Sequence, residues 1–380
     1  MEIIHFGKYY WPESGGMETA AKNLAELGVE MGHQVSCVVS SEGAKTTQHE
    51  SVGDVHVIRH PQPLKILSAP VSPKLFWHSI KKNSVVHVHL PHPFAELTVL
   101  RLLIFQRNSK MRLIPFFHAM PLRQGWLGKI WFEQVTSRIL DKSEAILVSN
   151  DRIIRSFPAL ERWKEKIRIV PFHVDQWNEE RFDLFSSQRR TSTEVFALGR
   201  LVAYKGFDVL IRAWGSASRR CQEVRALHLN IAGEGPEHAR LQSIISDEGL
   251  DKSVSLVGHC TNAEKEKWFE KAFLFAAPSV DESETFGISI LEAQAQGLPV
   301  ITTRLETGVS LLARKGACGA VVTPGSVEEL SQAIETLALS KREVLESIGR
   351  ESLRFVQTHY SKKHCQTEYE AILKGADSER

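Results

Sequence analysis

Short apolar runs rich in Val, Ile and Phe alternate with stretches of helical period along the whole chain. In the first half the strand-like runs are 3–7, 34–40, 54–59, 85–90, 112–118, 145–150 and 167–171. Helical patterns at 17–31, 94–107 and 127–141 lie between them, and Gly32 follows the first where a C-cap residue belongs. Residues 175–193 are charged, Ser-rich and weakly periodic, which predicts a linker. The pattern then restarts with 194–198, 226–232, 253–257, 273–277, 299–303 and 320–322. This alternation predicts an α/β protein with two doubly wound, Rossmann-like domains and parallel sheets. The expected boundaries are 1–175, a linker 176–193, 194–358, and a final helical segment 359–380. Ligands of such sheets bind outside the strand C-terminal ends, so two facing domains would share a cleft lined by those ends.

Composition narrows the class. The chain has 380 residues, 42% of them hydrophobic, enough for two cores. A net charge of +2 argues against a nucleic-acid binder, which would carry a basic stripe. Five scattered cysteines without a CxxC pair read as reduced residues of a cytoplasmic protein. The chain opens on a strand pattern rather than a signal peptide, and its most apolar stretch, 99–105, is too short to span a bilayer.

The chemistry gathers behind predicted strands. After 273–277 comes Pro278-Ser-Val-Asp-Glu-Ser-Glu-Thr-Phe-Gly-Ile-Ser-Ile-Leu-Glu-Ala, in which seven residues separate Glu284 from Glu292. Glu284 falls in a loop, and a helix starting near Gly287 carries Glu292 in its second turn. That helix start, with Phe286, Gly287 and Ile288, can hold an anion on its free amides. Two such glutamates more often sit on a solvated helix face; here the context favours hydroxyls of a sugar and a ribose. After 194–198 comes Gly199-Arg-Leu-Val-Ala-Tyr-Lys-Gly206. Arg200 offers a rigid fork of donors and Lys205 a mobile point charge, a pair suited to a diphosphate. Gly233-Glu234-Gly235-Pro236, after 226–232, suits a loop passing close to a base or ribose, or an ordinary strand-to-helix turn.

Ser14-Gly15-Gly16 follows the first strand without forming a GxGxxG fingerprint, which disfavours a dinucleotide cofactor. Gly15 and Gly16 read either as a close-approach loop or as a turn needing positive φ. His118 ends the run 112–118; a satisfied core histidine is the ordinary reading of such a residue, and a donor to a sugar hydroxyl the functional one. His87 and His89 share one strand face, with His92 just beyond, which raises zinc. No Asp-x-Asp occurs, so phosphate charge would be met by Arg200, Lys205 and a helix end, with no metal and no cofactor. Residues 122–132 and 70–82 mix cations with Trp, Phe and Leu. Each fits peripheral contact with an anionic membrane, or a partly buried helix start.

The string from Pro278 to Ala293, the Gly199–Gly206 motif and the glycine loops together resemble the retaining nucleotide-sugar glycosyltransferases of family 4, the glycogen-synthase-like group 1 enzymes, over essentially the whole chain. That resemblance implies the GT-B fold. It also implies donor phosphates at Gly15 and Gly16, a role beside the donor sugar for His118, histidines in the strand 85–90 without a metal, and a final helix crossing back to the first domain. It implies retention of configuration, a nucleotide-diphosphate sugar as donor, and a lipid-linked or oligosaccharide acceptor in bacterial lipopolysaccharide or exopolysaccharide synthesis, at the inner face of the cytoplasmic membrane. GDP-mannose is the favoured donor; a UDP-sugar, a nucleotide-sugar epimerase and a non-catalytic nucleotide-sugar binder stay open. The chain departs from the family at Pro171-Phe172-His173-Val174-Asp175, where Asn-Gly often precedes Val-Asp.

Overall fold

The computed structural model describes residues 1–13, 15–66, 69–105, 110–119, 125–174, 179–314 and 318–375. The chain forms two compact units, Met1–Phe172 with the C-terminal segment from Lys363, and His173–Lys362. Ser14, Arg107, the stretch 120–124 and Asp175 lie outside the described residues.

The second unit holds six parallel strands: Glu194–Leu198, His228–Ala232, Val254–Gly258, Leu274–Ala277, Val300–Thr303 and Ala320–Val322. Numbered in chain order they lie 3-2-1-4-5-6 across the sheet. In the two central strands, residues 195–198 and Leu274–Ala277 are apolar throughout because helices cover both faces. Phe207–Arg220 is one of these helices; its inner stripe of Leu210, Ile211, Ala213, Trp214 and Ala217 is wholly buried. The strand order reverses between Glu194–Leu198 and Leu274–Ala277. At such a reversal the crossover helices that follow the two neighbours lie on opposite faces of the sheet, and a crevice opens at the strands' C-terminal ends.

The first unit repeats the scheme. Its path across the sheet runs Ile167–Ile169, Ile146–Val148, Phe116–Phe117, Val85–Leu90, Glu2–Phe6, Gln34–Glu42, Val55–Gln62, and at the edge the antiparallel Gln48–Val52. The reversal falls between Glu2–Phe6 and Val85–Leu90. The expected strand 112–118 is broken into Arg112–Leu113 and Phe116–Phe117, because Pro115 has no N–H to give the ladder. The expected helix 127–141 divides into Gly125–Trp131, a π-helical turn Phe132–Thr136 and Ser137–Lys142. Around that turn Trp131 Nε1 (3.1 Å), Thr136 Oγ1 (2.5 Å) and the His92 amide (3.0 Å) all donate to the buried Glu96 carboxylate. The helix Lys362–Gly375 lays Cys365, Tyr369 and Leu373 into the first unit's core.

The stretch expected to be a linker is not a loose connector. Glu179–Arg189 is a helix of the second unit. Phe182 is fully buried, and the Arg189 guanidinium donates to the carbonyls of Phe269 (2.5 Å), Gln296 (3.1 Å) and Gly297 (3.3 Å). Its inward face is Phe, Ser and Arg, so the periodicity that marks a packed helix is hidden by a buried cation.

Candidate active site

In the second unit the loops leaving the two central strands meet. The backbone after Leu198 runs through Gly199 and Arg200 to a short 3-10 turn, Ala203–Lys205, and the Val280 amide donates to the Tyr204 carbonyl at 2.8 Å. Gly206 has φ +68, and a Cβ there would stand 2.2 Å from the Pro278 carbonyl, so only glycine allows the two loops this close. The result places Lys205 Nζ 2.5 Å from Glu284 Oε2, both side chains largely shielded from water. Ser279 Oγ donates to the same oxygen at 2.9 Å, and Thr307 Oγ1 to the Glu284 carbonyl at 2.7 Å. Glu284 is thus held by three neighbours; Ser279 lies in the same string of residues 278–293, whereas Thr307 carries no motif that would have marked it.

The helix Ile288–Ala295 follows at once, with Gly287 at its N-cap in the left-handed region, φ +84. No side chain caps it; the Ile290 and Leu291 amides donate back to the Gly287 carbonyl at 2.9 and 3.1 Å, and those of Ile288 and Ser289 have no acceptor within the helix. The Phe286 ring is 2% exposed and packs edge-on against Tyr360. Ile288 is half-buried beside it. Glu292, in the second turn, is bound by Lys265 Nζ at 2.6 Å, a partner 27 residues upstream. Arg200 is exposed, its guanidinium 3.3 Å from the Tyr204 hydroxyl, able to swing toward an anion at the crevice.

The loop Gly233-Glu234-Gly235 crosses the first of these loops. The Leu201 amide donates to the Glu234 carbonyl at 2.8 Å, and Gly199 donates to Ala232 at 3.0 Å. Gly233 has φ +140, and a Cβ there would lie 1.9 Å from the Gly199 carbonyl; at Gly235 it would lie 2.3 Å from that of Leu201. These glycines hold the Arg200 loop in place. The Glu234 side chain is exposed.

The first unit carries the other predicted residues. Gly15 caps the helix Gly16–Glu30 in an extended conformation, φ −176, and neither it nor Gly16 has positive φ. The turn reading therefore fails at both. The Thr19 amide donates to the Gly15 carbonyl at 2.9 Å. His118 sits at the end of Phe116–Phe117, partly exposed, against Phe116 and Phe172. Burial of its imidazole pushes the pKa down to about 3, so it is neutral near pH 7. His87 and His89 share a face as expected but reach different partners. His87 Nδ1 donates to the Ile114 carbonyl at 2.7 Å, while His89 contacts His5 and His118. Among the described residues no three His, Cys, Asp or Glu side chains are grouped to hold a metal.

Comparison with known proteins gives the family and the fold class. The description Glycosyltransferase Family 4 matches residues 14–177, and Glycosyl transferases group 1 matches residues 192–340. The chain belongs to these glycosyltransferases, with one matched region in each unit. It is 25% identical over 371 residues to the O-antigen chain mannosyltransferase C of Escherichia coli, covering 96% of this chain and 95% of that one. It is 26% identical to the D-rhamnosyltransferase WbpZ of Pseudomonas aeruginosa, covering 89% and 86%. The fold matches the sucrose-phosphate synthase of Thermosynechococcus elongatus with a TM-score of 0.77 over the whole of both chains, at 15% identity. The expected GT-B class is thereby borne out.

Proposed function

We propose that this glycosyltransferase moves a hexose, with retention of configuration, from a nucleotide-diphosphate sugar to a lipid-linked saccharide of a bacterial surface polysaccharide, with GDP-mannose as donor. The observation that carries the donor site is the convergence of Lys205, Arg200 and an uncapped helix start on one crevice at the strand reversal of the second unit. A diphosphate seated there would draw Lys205 off Glu284, meet the amides at Gly287 and Ile288, and recruit Arg200. Charge growing on the leaving phosphate is then stabilised by donors already in position. Glu284, released from the ammonium but still held by Ser279, would accept hydroxyls of the sugar and oppose positive charge at the anomeric carbon. Glu292, with one oxygen on Lys265, keeps the other for a ribose hydroxyl. The two glutamates serve different ends of one donor, so neither need form a covalent sugar ester as in many retaining hydrolases. The loop carrying Gly233 and Gly235 would border the base. Gly15 and Gly16 would lie near the phosphates, and His118 would donate to a sugar hydroxyl.

Mannose is favoured by the full-length similarity to an O-antigen mannosyltransferase. The lipid-linked acceptor is favoured by the surface of the first unit. Trp126, Leu127 and Ile130 stand 68%, 57% and 51% exposed on the helix Gly125–Trp131 with Lys129 among them, and Trp77 is 72% exposed near Arg101. Among the described residues no helix is long and apolar enough to cross a membrane, and this patch fits peripheral contact with anionic lipid. The test is a donor screen: purified protein with GDP- and UDP-sugars and membrane-extracted lipid-linked saccharide, the products resolved by mass. Transfer of one mannose from GDP-mannose is expected. Transfer from a UDP-sugar alone would move the assignment to another donor, and conversion of the nucleotide sugar without transfer would move it to an epimerase.

A further inference from the structure

Three imidazoles of the first unit form a chain. His118 Nε2 lies 2.9 Å from His89 Nδ1, and His89 Nε2 lies 3.1 Å from His5 Nδ1. The ring pairs are inclined by only 11° and 26°, with centroids 5.2 and 5.4 Å apart. Nearly parallel rings whose nitrogens come within about 3 Å while their centres stay beyond 5 Å meet edge to edge, as in-line N–H···N bonds require. His5 and His89 are each 1% exposed, whereas His118 reaches the strand end. Burial drives the pKa of both inner imidazoles well below the ordinary value, so the chain is neutral near pH 7.

A neutral imidazole has one N–H and one bare nitrogen. Each ring in the chain must therefore pass the same polarity to the next, and only two states exist. In the first, hydrogen bonds run outward: His5 Nδ1–H to His89, His89 Nδ1–H to His118 Nε2, leaving His118 with its proton on Nδ1. In the second they run inward, and His118 Nδ1 is bare. The states differ at the ends. At the outer end water or a ligand satisfies either form. At the inner end His5 Nε2 is buried and has no hydrogen-bond partner. The inward state would strand a buried N–H there; the outward state leaves only an unused lone pair, the cheaper defect.

We infer that His89 and His5 are positioning residues that lock His118 as its Nδ1–H tautomer, so that it presents a hydrogen-bond donor, never an acceptor, at the end of its strand. The neighbouring His87 stays outside the chain. Its Nδ1–H is committed to the Ile114 carbonyl, which can only accept, so its Nε2 must accept from the Tyr369 hydroxyl at 2.8 Å. The lock deepens the proposed role of His118 and rests on that reading for its use, but the tautomer itself is measurable without any substrate.

The experiment is nitrogen-15 NMR of full-length protein labelled at histidine ring nitrogens, at pH 7, where protonated and bare nitrogens resonate far apart. The signals of His118 are assigned by their loss in His118→Gln. The wild type is expected to show His118 with Nδ1 protonated and Nε2 bare, and this arm needs no folded variant of the relay. His89→Phe, which keeps a flat ring against Phe116, should release His118 into a mixture of tautomers or to Nε2–H. His5→Phe, the second variant, should do the same in part. In a transfer assay His89→Phe should lower kcat tenfold or more with the donor KM within twofold. A wild-type His118 protonated on Nε2, or one unchanged in both variants, overturns the inference. A shifted tautomer with unchanged kcat leaves the lock standing and removes His118 from the proposed mechanism.

Discussion

Lys205 Nζ and Glu284 Oε2 lie 2.5 Å apart, although they are 79 positions apart in sequence. They meet because the strands that precede their loops are neighbours at the reversal of the second sheet. Both side chains are largely shielded from water, and in the proposed mechanism a diphosphate competes with Glu284 for Lys205.

Removing either member should cost far more than the pair is worth alone. Lys205→Ala leaves a shielded carboxylate without its cation and takes away a phosphate ligand. Transfer, as kcat/KM, should fall by a factor of about 100 or more, roughly 3 kcal/mol of transition-state stabilisation. Glu284→Gln keeps the Ser279 contact and should fall by a similar factor. The double variant should lose much less than the product of the two, giving a coupling of about 1–3 kcal/mol in a double-mutant cycle. Strict additivity would mean that the two groups act independently.

Gly233→Ala probes the loop that holds Arg200. The added Cβ would sit 1.9 Å from the Gly199 carbonyl at a φ of +140. Both loops must move, and stability should drop by about 2–4 kcal/mol. Urea unfolding followed by circular dichroism reads the loss, and nucleotide affinity should weaken with it.

Arg189→Met tests the helix that replaces the expected linker. Four carbonyls, of Phe269, Glu270, Gln296 and Gly297, lose their donor at once. The second unit should lose about 3 kcal/mol or more, seen as an earlier urea transition, because buried acceptors stay unpaired.

Acid should weaken the first unit. Burial pushes the pKa of His87 down to about 4 and of His92 to about 3, against 6.5 for the free side chain. The unfolded chain then binds more protons than the native one below pH 6.5, so stability present above that pH is lost as it falls toward 4. At pH 5 each of these two histidines should account for about 2 kcal/mol of lost stability. Urea titrations at pH 7 and 5 read the difference, and His87→Phe should reduce it.

Much of the fold and part of the site could be read from the chain. Alternating strand and helix periods placed the Arg200–Lys205 and Glu284–Glu292 motifs directly after strands, and a doubly wound order makes those strand ends the ligand edge. Lys265 was invisible: its contact with Glu292 depends on how one helix packs on another, and no spacing announces it. The helix Glu179–Arg189 was hidden because one of its three buried residues is an arginine. The edge strand Gln48–Val52 carries almost no apolar residue, since both its faces meet water. The histidine chain needed the register that pairs His5 with His87 across two parallel strands before His89 could be placed.

The central claim is that Lys205 and Arg200 of the second unit grip the diphosphate of the donor. Calorimetric titration of the wild type, Lys205→Ala and Arg200→Ala with GDP and UDP tests it most directly. The wild type should bind one nucleoside diphosphate, and each variant should bind it at least about tenfold more weakly, about 1.4 kcal/mol. No heat with either nucleotide, or equal affinity in all three proteins, would contradict it.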